Sequence, residues 1–423
     1  MFRKNQISSF ISYKILIIIL SFFIGFINPA IFSRVFDQST FAALLLVSGL
    51  LVYLAFLDAG FGKPIYTIMR EYFIKKNKKL SSLVAFSIIF YLIVSILTIL
   101  TSSIFGFFIY NSFSPNISLS SFIFFAAGLS SNIATNNFRH IFQAINKYVY
   151  FEKILFLKRL INLFSLLFFL IPNGINYFSI ALICMNVSLT FLFTLKLNKF
   201  FQFTLFDFNN YTSHFFWFNK IKSNALMFLL ITIFEVFYYN YGFIFFSFLE
   251  LSDYDIVKYS LYNKIFLSAI LFTRIPADIS IHLASDYYHK NNLVKFRTTV
   301  LKSLQYALPL SFIIILPFIF FDHLILTAWV EENYFNTQIK IALVLAVISN
   351  CFHHIAGTYL FSIGNNFKIC LKINLFSNML ILTSIFCAVV MSLSIEILLI
   401  NISAIYLLTS AIYCSNFKRL LWK

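Results

Sequence analysis

The sequence predicts an all-α polytopic membrane protein of about twelve spanning helices. Three observations lead there. Sixty per cent of the 423 residues are hydrophobic and 11% are charged, with a mean hydropathy of +0.87. Such a chain carries more apolar surface than a soluble core can enclose, so lipid is its expected solvent. About twelve apolar windows reach the roughly 20 residues that a bilayer crossing requires. The segments between them alternate in charge, with about 26 of the 32 Lys and Arg falling on one side.

The first window, 11–32, follows the basic start "MFRKNQISSF". It is too long for a signal-peptide core and lacks a convincing small-residue cleavage site, so it is read as a retained helix. Windows 41–68, 81–108, 119–141, 154–172 and 177–195 complete a first group of six. Windows 223–248, 256–280, 300–321, 338–361, 370–392 and 395–414 form a second. Residues 196–222, polar, aromatic and basic, read as a cytoplasmic linker on the membrane surface. The domains are therefore 1–195 as N-terminal lobe, 196–222 as linker and 223–423 as C-terminal lobe.

The basic connections are the amino terminus, "REYFIKKNKK", Arg139 to Arg159, Lys196 to Lys222, "HKNNLVKFR", Lys368 with Lys372, and the tail "NFKRLLWK". The opposite set, which includes "RVFDQST", "LELSDYD" and "DHLILTAWVEENYFNT", holds one arginine and is otherwise acidic and neutral. With an even number of spans, the positive-inside rule puts both termini in the cytoplasm. The net charge of +17 does not indicate nucleic acid, because the cations lie in short clusters between apolar runs. The five cysteines form no CxxC pair, which argues against a disulfide framework or a metal site. There is no P-loop, no HExxH and no large outer domain, so no enzyme signature stands. His353 and His354 are adjacent, and their rings should diverge on a helix.

Cations outside the basic connections point to a site. Arg34 and Lys340 lie at span ends and should snorkel to water. "FLDAGFGKPIYTIMREYFIKKNKK", Phe56 to Lys79, places Asp58, Gly60, Gly62, Lys63 and Pro64 together in span two. Pro64 removes a helix hydrogen bond and the glycines permit bending. Unwound backbone at membrane depth must face protein or a wet cavity. On the plainer reading, Lys63 marks the cytoplasmic end of that span beside Arg70. "FSRVFDQSTFAAL" and "FSFLELSDYDIVK" align weakly, and in that register Gly62-Lys63-Pro64 falls on Pro276-Ala277-Asp278 in span eight. Paired interruptions of this kind point to a transport site between parallel repeats.

Glu235 lies near the middle of span seven, where a bare carboxylate costs at least about 2.5 kcal/mol. It carries a coupling proton or cation, stays protonated, or pairs with Lys264 as a structural bridge. Tyr239 shares its helix face. On span eight, Lys258 and Tyr262 share a face, Lys264 lies deeper, and Arg274 has Asp278 four residues on as an ion-pair partner. Embedded lysines beside water would gather anions, and ammonium groups suit phosphate and pyrophosphate. The tyrosines of these two spans could meet sugar rings or form an ordinary interfacial belt.

The stretch "NQISSFISYKILIIILSFFIGFINPAIFSRVFDQSTFAALLLVSGLLVYLAFLDAGFGKPI" resembles the start of Wzx-type polysaccharide (O-antigen or capsule) flippases of the multidrug/oligosaccharidyl-lipid/polysaccharide (MOP) exporter superfamily. "YNYGFIFFSFLELSDYDIVKYSLYNKI", "TAWVEENYFNTQIKIALVLA" and "LFSIGNNFKICLKINL" extend the likeness. The family usually has a glycine in the outer-loop motif where Val330 and Glu331 stand here. The resemblance implies two six-helix lobes around a central cavity, and alternating access that moves a polyprenyl-pyrophosphate-linked oligosaccharide across the inner membrane. In that setting Lys63, Lys258, Lys264 and Arg274 are the candidates for pyrophosphate, and Tyr239 and Tyr262 for sugar. Glu235 and Asp58 are the candidates for coupling to a proton or sodium gradient, with no other cofactor. Membrane lipids, a polymerase and a chain-length regulator are the implied partners. The rivals are a drug exporter of the same superfamily and an integral-membrane polymerase or glycosyltransferase.

Overall fold

The computed structural model describes residues 4–58, 60–113, 115–201, 211–246, 252–289, 292–363 and 367–421. Among them all regular structure is helix. The first nine helices are α1 (Lys4–Val35), α2 (Gln38–Leu50), α3 (Gly62–Ile74), α4 (Leu80–Phe113), α5 (Leu119–Ser130), α6 (Asn132–Ala144), α7 (Tyr148–Ser165), α8 (Gly174–Phe201) and α9 (Tyr211–Phe246). Six more follow: α10 (Asp253–His289), α11 (Leu293–Phe320), α12 (Asp322–Val330), α13 (Thr337–Ile363), α14 (Phe367–Val390) and α15 (Ile395–Leu421). Short 3-10 segments, Leu51–Asp58 and Leu166–Leu170, continue α2 and α7.

Eight of the described helices are long and apolar enough to cross a membrane: α1, α4, α8, α9, α11, α13, α14 and α15. The expected windows 41–68, 119–141 and 154–172 are instead each built from more than one helical piece. Window 256–280 lies in α10. The chain is a multi-pass membrane protein.

It divides into two compact units. The first comprises Met1–Ile24 with Val35–Ile233, and the second Gly25–Arg34 with Phe234–Lys423. Helix α1 thus contributes to both. The boundary falls inside α9 rather than at an extended linker. On either side of the undescribed 202–210, the expected linker is the end of α8 and the start of α9. The reason is packing: Trp217 and Ile221 are buried in the core of the first unit, and the Trp217 indole donates to Ser82 Oγ at 3.0 Å.

In the first unit, α4 shows the lipid-solvated pattern. Ile93, Ile96, Leu100, Ile104 and Phe108 are exposed, while Ser95, Thr98, Ser102 and Gly106 face the protein. Small residues let helices approach closely, and their hydroxyls bond back to the helix or across it. Ser102 Oγ donates to Ser130 Oγ at 2.8 Å, joining α4 to α5.

In the second unit, α10 packs along α11 and α13, and α13 along α15. Ser280, Ser303 and Tyr359 hydroxyls lie 2.7 to 2.9 Å apart and tie α10, α11 and α13 together. Arg34 donates to the carbonyls of Ala328 (2.5 Å) and Trp329 (2.9 Å), the last turn of α12. It lies at its span end as expected, but it caps a helix rather than only reaching water. Lys340 likewise bonds Asp322 at 2.7 Å. Burial by itself raises the Asp322 carboxyl, but hydrogen bonds from Lys340 and Asn333 outweigh it and hold the group below the usual carboxylate range.

Glu331 ends α12 in the left-handed region at φ 67°. That conformation costs a non-glycine residue about 1 kcal/mol or more. Its carboxylate is 3.8 Å from Arg34 and exposed, a contact worth little. Glu331→Gly is therefore expected to raise the thermal midpoint in detergent, by the equivalent of about 0.5–1 kcal/mol; a lower midpoint would show that the ion pair outweighs the strain.

Candidate functional site

The interruption in span two is real and is organised by Asp58. The 3-10 segment ends at Asp58, and α3 starts at Gly62. Asp58 Oδ1 accepts the Gly60 N–H at 2.7 Å, and the carboxylate also takes a backbone hydrogen bond from Gly62. Gly60 has φ 71°. The freed backbone groups are thus satisfied by a side chain in an Asx-type turn. Asp58, expected as an ion-coupling group, is held as the cap of this turn. The Lys63 side chain lies outside the described residues.

The matching interruption expected at Pro276 is absent, since α10 runs unbroken through it. Ser280 Oγ bonds the Pro276 carbonyl at 2.6 Å. The second unit bends instead in α9, where Asn240 leaves the helical region at φ −128°, ψ 17°. Gly242 N–H donates to the Tyr259 hydroxyl at 3.1 Å, which compensates for the disturbed helix bonding.

This bend brings polar groups together inside the second unit. Tyr239 Oη lies 3.1 Å from His354 Nε2, and the two rings stack with centroids 5.4 Å apart. One residue back, Tyr238 stacks on His353 at 5.1 Å. The adjacent tyrosines of α9 thus meet the adjacent histidines of α13 pair on pair. The histidine rings diverge as expected, at 77° to each other, and each has its own partner. Tyr413 contacts His353 at 4.4 Å and donates to Asn374 Oδ1 at 2.8 Å. Glu235, partly buried, is within electrostatic range of Tyr239, Tyr413 and Cys370. Arg274, exposed, is within range of Tyr239 and His354. A carboxylate, tyrosine hydroxyls and an imidazole in one cluster can hand on a proton over short steps.

Glu235 is not paired with Lys264, because no ion pair or hydrogen bond involving either is present among the described residues. Lys264 is partly buried, eleven residues into α10 and so roughly 16 Å along its axis. Asp278, the expected partner of Arg274, has a side chain outside the described residues. Tyr262 is buried against Phe266, and Tyr239 is committed to His354, so neither expected sugar contact presents an open ring face.

Lys258 is neutralised. Its Nζ lies 2.7 Å from Glu396 Oε1 and 3.6 Å from Asp255 Oδ1, with Asn336 donating to the same Glu396 oxygen at 3.3 Å. An anion would have to break this pair. The expected pyrophosphate role of Lys258 therefore gives way to a structural one, linking α10 to α15. Glu396→Gln would leave a buried ammonium without its main partner. It is expected to cost about 3 kcal/mol of stability in detergent, whereas the double change Lys258→Met/Glu396→Leu should cost much less. Equal losses would show that shape rather than charge holds the helices here.

The chain superposes end to end on solved membrane transporters. An inward-facing multidrug resistance MATE family transporter of the MOP superfamily matches with a TM-score of 0.69 at 14% identity, over 98% of each chain. A mutant of the Vibrio cholerae MATE transporter VcmN gives 0.70 at 13% identity, over 99% of this chain and 96% of that one. The fold is that of the MATE transporters. A further neighbour is a MOP superfamily transporter from Pyrococcus furiosus, described by a reversed polarity of its binding pocket. It gives 0.67 at 13% identity, over 99% and 96% of the two chains. No family model and no curated protein sequence matches the chain. Within this MATE-type fold, no group of three or more His, Cys, Asp or Glu is placed to hold a metal among the described residues.

Proposed function

We propose that the chain is an alternating-access flippase that carries a polyprenyl-pyrophosphate-linked oligosaccharide, an O-antigen or capsule unit, across a bacterial inner membrane with both termini cytoplasmic. The observation that supports this most is Lys264, a partly buried cation that no carboxylate neutralises among the described residues, in a chain folded like transporters over its whole length. A positive group held away from water attracts a diphosphate and repels cationic drugs. The Pyrococcus furiosus neighbour, described by a reversed pocket polarity and a different function, supports such variation within one fold. A proton or sodium gradient drives the cycle, with Glu235 the carboxylate open to that ion and the Tyr239–His354 pair beside it. The pathway's polymerase and chain-length regulator receive the product.

The test is complementation of a flippase-null strain, with lipid-linked oligosaccharide counted on each side of the inner membrane. Restored surface polysaccharide supports the reading, and undiminished accumulation on the cytoplasmic side defeats it. A second reading, multidrug export, draws on Glu235 and on the multidrug transporters that share the fold. Resistance to cationic drugs on expression, without complementation, would favour it.

A further inference from the structure

The first unit contains a cationic centre that charge counting along the sequence assigns to a loop. Arg139 lies on α6, and Glu152, Lys158 and Arg159 lie on α7, all in continuous helix. Lys158 is 1% exposed, and its Nζ donates to the Thr135 hydroxyl and to the Asn132 carbonyl, with no carboxylate partner among the described residues. Arg139 and Arg159 are both within electrostatic range of it. The one carboxylate in the group is Glu152, 3% exposed, with an oxygen 3.7 Å from Arg139 Nε and with Lys14 of α1 also in range. The Nε atoms of Arg139 and Arg159 are buried without a hydrogen-bond partner among the described residues. Leu157, Ile161 and Phe164 are exposed on another face of α7, so the cations gather on its protein-facing side.

One carboxylate cannot offset a buried lysine and two half-buried arginines, and like charges gathered away from water are unfavourable unless an anion joins them. Two guanidinium groups and an ammonium are well matched to phosphate oxygens, because planar N–H forks bind them in pairs. The centre is also not sealed: the Arg139 side chain is 43% exposed. We propose that Arg139, Lys158 and Arg159 form an anion site for a phosphate or diphosphate group, with Glu152 the internal anion that holds Arg139 while the site is empty. The proposal deepens the transport reading in one respect only: under that reading the diphosphate is the cargo's. A phospholipid headgroup or a free phosphate shares the same chemistry.

The full chain, purified in detergent, is titrated with inorganic pyrophosphate against sulfate at matched ionic strength, by thermal shift and by equilibrium binding of labelled pyrophosphate. Saturable binding to the native chain is expected. Arg159→Gln should weaken it at least about tenfold, and Arg159→Lys less, since Lys keeps the charge but loses the fork. Glu152→Gln should tighten it about threefold or more by removing the competitor. If the glutamine variants do not fold, the native chain and Arg159→Lys decide. Pyrophosphate acting no better than sulfate on the native chain, or equal affinity in every folded variant, overturns the site. In nanodiscs, loss of pyrophosphate binding when phosphatidylglycerol replaces phosphatidylcholine identifies a headgroup as occupant, and retention assigns the site to a diphosphate. Binding without complementation defeats the transport reading alone, whereas complementation without binding defeats this site alone.

Discussion

Lys264→Ala is expected to lower oligosaccharide translocation at least about tenfold in a flippase-null strain, with Lys264→Arg within about threefold of the native chain and Lys264→Glu below Ala. A charge near the middle of a span costs about 2.5–3.5 kcal/mol on insertion scales. Lys264, partly buried, has no salt bridge among the described residues, unlike Lys258, which holds Glu396 at 2.7 Å. A cation whose charge serves no internal pair is available to a ligand. Alanine removes the attraction, arginine keeps it, and glutamate reverses it. Protein level in the membrane must be measured alongside, because the alanine variant relieves a desolvation cost and should be no less stable. Full translocation by Lys264→Ala, at native protein level, would end the electrostatic account of cargo binding at this residue.

Gly60→Ala is expected to leave no folded protein, a loss above about 4 kcal/mol. The backbone at Gly60 has φ 71°, which by itself costs an alanine about 1–2 kcal/mol. The greater obstacle is steric. A Cβ at Gly60 would overlap the Ala225 carbonyl oxygen and the backbone nitrogen of Leu229, both on α9. Backbone atoms of a packed helix cannot turn aside as a flexible side chain can. Gly25 supplies the control: a Cβ there meets nothing within 4 Å. Gly25→Ala lies inside α1 and should be neutral, or stabilising by about 0.5–1 kcal/mol. A native thermal midpoint for Gly60→Ala in detergent would show that α9 does not press on this turn.

Much of the architecture was legible because lipid makes simple demands on a sequence. Continuous apolar runs marked the long helices, and Gly60, Gly62 and Pro64 correctly marked an interrupted one. Pro276 misled, because a proline inside a membrane helix is tolerated where the surrounding packing holds the helix, and α10 continues through it. The bend at Asn240 carries no such mark beyond Gly242, two residues on. Lys158 and Arg159 were misplaced for a related reason. A run of cations reads as a loop, yet here the turn is confined to 145–147 and α7 carries both residues inward.

The chemistry was less legible than the spans. Glu235 and Lys264 stood out at once, since any charge in an apolar run is conspicuous. Their surroundings did not. Lys258 finds Glu396 138 residues away, and Tyr239 finds His354 115 residues away, separations that no local pattern encodes. His353 and His354, unpromising as metal ligands, proved to be the partners of two stacked tyrosines.

By itself, the sequence determined that this is a helical membrane protein with too many cations for its carboxylates, because solvation by lipid and overall charge are sums over residues. Only the tertiary structure decided which of the described cations are neutralised by a carboxylate. That depends on distances of a few ångströms between helices, and on packing that brings together residues far apart along the chain.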